Sequence, residues 1–100
     1  MQSIIQNNLH QIIGLSKAHK VERLHLFGSA STDRFNSESD IDLLVKFADV
    51  PLEDYADNYF DLKDALEELL DREVDLVSES TLSNPYFIKN IERNKVHLYG

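Results

Sequence analysis

The sequence predicts an α+β domain, a two-layer arrangement of helices and a small sheet. Three observations carry this. The chain has 100 residues, room for a single domain over 1–100. Apolar residues recur at helical spacing in some stretches and alternate or run together in others. The two kinds of segment interleave, as helix, strand, strand, helix, strand, helix and a short final strand.

Taken in order, Ile4, Ile5, Leu9, Ile12 and Ile13 fall on one helical face, so a first helix is expected from Ile4 to about His19. Gly14 weakens it there, which is tolerable if another backbone packs close. Val21 to Phe27 alternates and is rich in strand formers, and it stops at Gly28. The polar stretch from Ser29 to Asp40 has loop composition, with room for a helical turn at its start. Ile41 to Phe47 reads as a deeply buried strand. Pro51 suits the first position of a long helix to about Asp71. Its apolar stripe includes Leu52, Tyr55, Ala56, Tyr59, Leu62 and Leu66, and its acidic stripe includes Glu53, Asp57, Asp61, Asp64 and Glu68. Val74 to Val77 is a third strand. Asn84-Pro85 is a cap followed by an N1 proline, opening a last helix to about Arg93. Val96 to Tyr99 reads as an edge strand.

Composition narrows the function. The net charge is −8, and residues 33–79 hold 16 of the 18 acidic residues against four basic ones. A protein that grips duplex nucleic acid by its phosphates needs a basic face, so direct duplex binding is not expected. Cysteine is absent, which excludes thiolate metal sites and a cysteine nucleophile and fits a reducing compartment; a cytoplasmic location is expected. No charged start followed by an apolar block marks a signal peptide, and no apolar run nears the roughly 20 residues of a membrane span.

Three features point to chemistry. Gly28-Ser29 at a strand end lets backbone N–H groups approach an anion, with the Ser29 hydroxyl as a further donor. Asp40 and Asp42 are two apart on a strand and share a face, while Ile41, Leu43 and Val45 point the other way. Two such carboxylates repel unless a cation bridges them, and hard oxygen donors with open positions suit Mg²⁺ shared with a phosphate. Asp75 interrupts an apolar run in the same manner. If its strand lies beside that of Asp42, with the long helix as crossover, three carboxylates meet on one face. The four histidines, His10, His19, His25 and His97, show no metal-ligand spacing, and His25 reads as a partly buried strand residue. Tyr55 and Tyr59 read as core, whereas Tyr86 and Tyr99 are open to contact by a nucleotide or a partner.

Gly28-Ser29, ten residues, then Asp40-x-Asp42 followed by Leu43-Leu44-Val45, resembles the signature of the DNA polymerase β-like nucleotidyltransferase superfamily. In particular the chain is similar to the minimal nucleotidyltransferases, including the antitoxins of HEPN/minimal-nucleotidyltransferase modules. The resemblance spans nearly the whole chain. It implies a palm-like fold, a small mixed sheet of three to four strands with helices mainly on one side. It implies that Asp40 and Asp42 bind two Mg²⁺ ions, that Asp75 binds the catalytic one and helps take a proton, and that Gly28 and Ser29 hold the phosphates of ATP or another NTP. The implied reaction is attack of a hydroxyl on the α-phosphate with loss of pyrophosphate, and the implied partner is a HEPN-type toxin that receives AMP. A second polypeptide or a homo-oligomer should supply the acceptor, since the chain is too short for a separate acceptor domain.

One departure stands out. Many relatives follow Gly-Ser with an Ala-Arg-Gly-like run, whereas this chain has Ala30-Ser31-Thr32-Asp33-Arg34. Arg34 either reaches a phosphate or pairs with Glu38 at the surface. The altered run favours an alternative, a weak or inactive nucleotide-binding module that masks a toxin by binding alone. The three crowded carboxylates favour the enzyme.

Overall fold

The structure is a computed structural model in which residues 3–28 and 40–100 are described. Its elements follow the predicted order: α1 (Ser3–Asn7), α2 (Leu9–Ala18), β1 (Val21–Phe27), β2 (Ile41–Phe47), α3 (Leu52–Leu70), β3 (Val74–Ser78), a 3₁₀ turn (Glu79–Thr81), α4 (Pro85–Asn94) and β4 (Val96–Tyr99). The expected turn after Gly28 falls on residues 29–39, outside the described residues.

The single first helix expected from Ile4 to His19 is instead two. Asn8 divides it, donating from its side-chain amide to the Ile4 carbonyl at 2.7 Å. A short polar side chain that bonds local backbone competes with the helical ladder, which is why the break falls there. Gly14 does not serve a close approach: a Cβ placed on it meets nothing within 4 Å.

The described strands form one mixed sheet in the order β3-β2-β1-β4. β1 is antiparallel to β2 and β4, while β2 and β3 are parallel and joined through α3. This is the crossover that the length of α3 suggested. Parallel neighbours need such a connection, because a tight hairpin cannot reverse the chain twice.

Alternation then sorts the side chains onto two faces. On one, Leu24, Leu26, Ile41, Leu43 and Val45 are fully buried against Ile5, Ile12, Leu62 and Leu66 of α1–α3. On the other, Phe27 and Leu44 pack against Ile91 of α4. Three helices thus cover one face, as expected, and the fourth covers part of the reverse.

The ends of α3 differ from the prediction. Pro51 is its cap rather than its first residue. Leu52 is 90% exposed and Ala56 is exposed, so burial of the apolar stripe is deep only from Leu62 onward. Tyr55 and Tyr59 are half-buried, and they lean on β3, where the Tyr59 hydroxyl donates to the Leu76 carbonyl and the Tyr55 hydroxyl meets Ser78 Oγ at 2.8 Å. The acidic stripe of Glu53, Asp57, Asp61, Asp64 and Glu68 is exposed to solvent.

Candidate active site

The sheet register brings the predicted acids together. Phe27 stands opposite Asp42 across β1 and β2, and Asp42 stands opposite Asp75 across β2 and β3. Partners in register share a face, with Cβ atoms about 5 Å apart. The result is a row, Phe27–Asp42–Asp75, across three strands on the face away from α1–α3. Asp40 lies two residues before Asp42, just ahead of β2, and is exposed. Asp75 is exposed as well, and Asp42 is half-buried.

Gly28 fixes this arrangement from the other side. Its φ is +71°, and a Cβ built on it would lie 2.2 Å from Asp42 Oδ2 and 3.0 Å from Cγ. The carboxylate therefore lies directly over the glycine backbone, in space that any side chain would fill. Ser29 and Arg34, the other expected phosphate contacts, fall outside the described residues.

The electrostatics of Asp42 are one-sided. Its pKa is raised, chiefly by burial, then by the charge of Asp75 and of Asp40. Every influence on it disfavours the carboxylate, so the site is short of positive charge. Hard oxygen donors short of a cation have the chemistry that Mg²⁺ requires. They are not a finished cage: among the described residues, no three of His, Asp and Glu stand close enough together to hold a metal ion. The donor types fit the ion, and the row supplies its anchor points.

Beyond the acids, the same face continues to His25, Leu44 and Val77, and then to Arg23 and Lys46. Here α4 roofs the sheet, and a cleft of about 350 Å³ lies between them, lined by Arg23, His25, Leu44, Glu79, Ile91 and Lys95. A larger cleft of about 550 Å³ lies at the opposite ends of β2 and β3, lined by residues such as Phe47, Pro51 and Ser78. Cavity size alone would therefore lead away from the acids. Two features were not visible in the sequence. His25 and His97 come together across β1 and β4, with ring centroids 5.4 Å apart. Phe87 meets Phe27 beside the acidic row, with centroids 6.2 Å apart at 81°. Alternation places Phe27 on the acidic face, but only the docking of α4 supplies its partner.

The comparisons with known proteins decide the lineage. The family described as Polymerase beta, Nucleotidyltransferase matches residues 8–100. The chain belongs to this nucleotidyltransferase family. It is 38% identical over 84 residues to a Methanocaldococcus jannaschii protein named for protein adenylyltransferase activity, covering 84% of this chain and 83% of that one. Among solved structures it resembles a minimal nucleotidyltransferase, with a TM-score of 0.77 and 30% identity over 92% of this chain and 90% of the other. It also resembles a chain in a toxin–antitoxin complex with AMP-PNP, with a TM-score of 0.73 and 29% identity, covering 93% of this chain and 73% of that one. A third likeness is to a chain in the complex of a tri-AMPylated HEPN toxin with its MNT antitoxin from Shewanella oneidensis. There the TM-score is 0.67 and the identity 28%, over 95% of this chain and 71% of the other. The fold, the family and the class of enzyme expected from the motif are all borne out.

Proposed function

We propose that this protein moves AMP from ATP onto a hydroxyl of a partner protein, a HEPN-type toxin, and so acts as the antitoxin of a pair. The observation that carries this reading is the row Asp42–Asp75, with Gly28 folded against Asp42 and Asp40 two residues before it. The AMP-PNP complex and the AMPylated toxin among similar structures support the choice of nucleotide and acceptor. Asp40, Asp42 and Asp75 would hold Mg²⁺, two ions with nucleotide bound. Held there, the ions would supply positive charge to offset the phosphates and the charge that develops on the attacking and leaving oxygens.

The residues themselves divide the remaining work. Gly28 leaves room for the Asp42 carboxylate against its backbone, beside the phosphate tail, and Ser29 and Arg34 would add donors to that tail. Asp42 is the inner, half-buried carboxylate, lying against Gly28. Asp75 lies on the outermost strand, open to an incoming side chain, and accepts the hydroxyl proton as the oxygen bonds to the α-phosphorus. The bond from that phosphorus to the bridging oxygen breaks, and pyrophosphate leaves.

A second reading has an observation of its own. Because the acids do not form a preassembled metal cluster, the protein could hold nucleotide weakly and silence its partner by contact alone. Transfer of label from α-labelled ATP to the partner, with Mg²⁺ and with either wild-type protein or Asp42→Asn, separates the two. Enzymatic silencing gives a labelled partner band that falls at least about a thousandfold in the variant. Absence of label, with equal protection by both forms, establishes masking.

A further inference from the structure

We propose that Phe87, at the head of α4, is the platform on which the base of the bound nucleotide stacks. The proposal rests on the nucleotide reading above and adds the part of the site that holds the base.

The sheet itself leaves the base few places to go. The phosphates belong at the row of Gly28, Asp42 and Asp75, and the base lies one ribose away from them. Toward the other end of the strands, the next positions on this face are His25, Leu44 and Val77. Leu44 is 2% exposed and His25 8%. The cleft that opens over them is walled by the charged groups of Arg23, Glu79 and Lys95, and its one ring, His25, is almost wholly buried, so it offers a base no open aromatic face. Toward β3 the row ends in the exposed carboxylate of Asp75, and the apolar cleft beyond it, lined by Tyr59, Phe60, Leu76 and Val77, lies between β3 and α3, the helix of the opposite face. Among the described residues, what adjoins the row on its β1 side is aromatic. Phe27 is the cross-strand neighbour of Asp42, and Phe87 stands edge-on to Phe27.

Phe87 is built for contact rather than for filling the core. It is 41% exposed, whereas Phe27 beneath it is 7% exposed. It shares a helix face with Ile91, four residues on, and its ring meets Phe27 of the sheet while part of it remains open. Its backbone is fixed too. Asn84 Oδ1 accepts hydrogen bonds from the N–H groups of Tyr86 at 2.9 Å and Phe87 at 3.3 Å, and Pro85 presets the first turn. A ring held in this way loses little freedom when a base settles on it. Base–aromatic stacking needs only a π-face, which every base has. The platform therefore grips the base without reading its edge, and adenine and guanine should gain from it alike.

The test is calorimetric binding, in the presence of Mg²⁺, of ATP, GTP and inorganic tripolyphosphate, which carries the phosphates without a base. Wild-type protein should bind both nucleotides more tightly than tripolyphosphate. Phe87→Ala should weaken ATP and GTP by about 5- to 100-fold, the factor worth one stacked base, with tripolyphosphate unchanged. Phe87→Tyr should behave as wild type and Phe87→Leu as the alanine variant, since leucine keeps the apolar contact with the sheet but has no ring. Should Phe87→Leu bind ATP as wild type does, the ring is mere packing and the proposal fails. It fails equally if ATP binds no better than tripolyphosphate to the wild type. If neither ligand binds at all, the nucleotide reading itself falls and takes the platform with it.

Discussion

Gly28 and Asp42 are best understood as one unit. The glycine occupies the left-handed region, and the Asp42 carboxylate fills the space its missing side chain leaves. Gly28→Ala would meet two costs. An alanine at φ +71° costs about 1–2 kcal/mol, and its methyl collides with Asp42 Oδ2. The collision is with the free end of a side chain, so the fold yields by swinging Asp42 aside rather than by unfolding. We expect melting to shift modestly while nucleotidyl transfer drops by at least about a hundredfold, a split that thermal melts and labelled transfer on the same sample would reveal. Asp42→Asn should act in the opposite sense on stability. The ionised carboxylate is burdened by burial and by two like charges, so its removal should raise the urea midpoint of the metal-free protein at neutral pH. The gain is at most about 1 kcal/mol, because the group is half open to solvent. A variant that is more stable and yet inactive is the signature of a residue kept for chemistry. A lower midpoint would show that Asp42 serves the fold instead.

At the scale of elements, α2 carries a glycine that packing does not require. Gly14 is exposed in mid-helix with open space where its Cβ would go. Gly14→Ala should therefore stabilise the protein by roughly 0.5–1 kcal/mol, the helix-propensity difference, with no effect on transfer. A chemical denaturation series checks this directly, and destabilisation would mean that α2 is less regular than it stands here. This site also shows where sequence reading reaches its limit. Strand boundaries were legible because β-branched and leucine-rich runs end at Gly28 and Phe47, and the α4 start was legible because Asn84-Pro85 is a local signal. The pairing of Asp42 with Asp75 was legible only conditionally, from the alternation in each strand and the length of α3. What escaped was non-local or finely balanced. Asn8 splits the first helix through one side-chain bond, Gly14 looks identical in sequence whether or not a neighbour needs the room, and the meeting of Phe87 with Phe27 depends on where α4 lands.

The molecule as a whole is a sheet with an oily face under three helices and a mixed face under one, and the mixed face is where its pH dependence resides. His25 is buried there beneath α4, and among the described residues its Nδ1 has no hydrogen-bond partner. Burial, then the charge of Lys95, then His97, hold its pKa below the ordinary value of 6.5. The folded state thus resists a proton that the unfolded chain accepts. Stability is fully present above about pH 6.5 and declines as the pH falls from there through the lowered folded value, by at most about 1.4 kcal/mol per pH unit for one proton. Glu79 gives a second, separate window. Arg23 donates to it from Nε at 3.1 Å and from a terminal nitrogen at 2.8 Å, and that hydrogen bonding holds the carboxyl below its ordinary value of 4.5. Its contribution is present above about pH 4.5 and is lost as the pH drops through the depressed folded value. Urea midpoints measured from pH 8 to pH 3 should therefore fall in two stages. His25→Leu should flatten the upper stage and leave the lower one, because leucine removes both the titration and the unpartnered nitrogen. Glu79→Gln should do the reverse. If His25→Leu left the upper stage unchanged, the burial of His25 beneath α4 would not be its source.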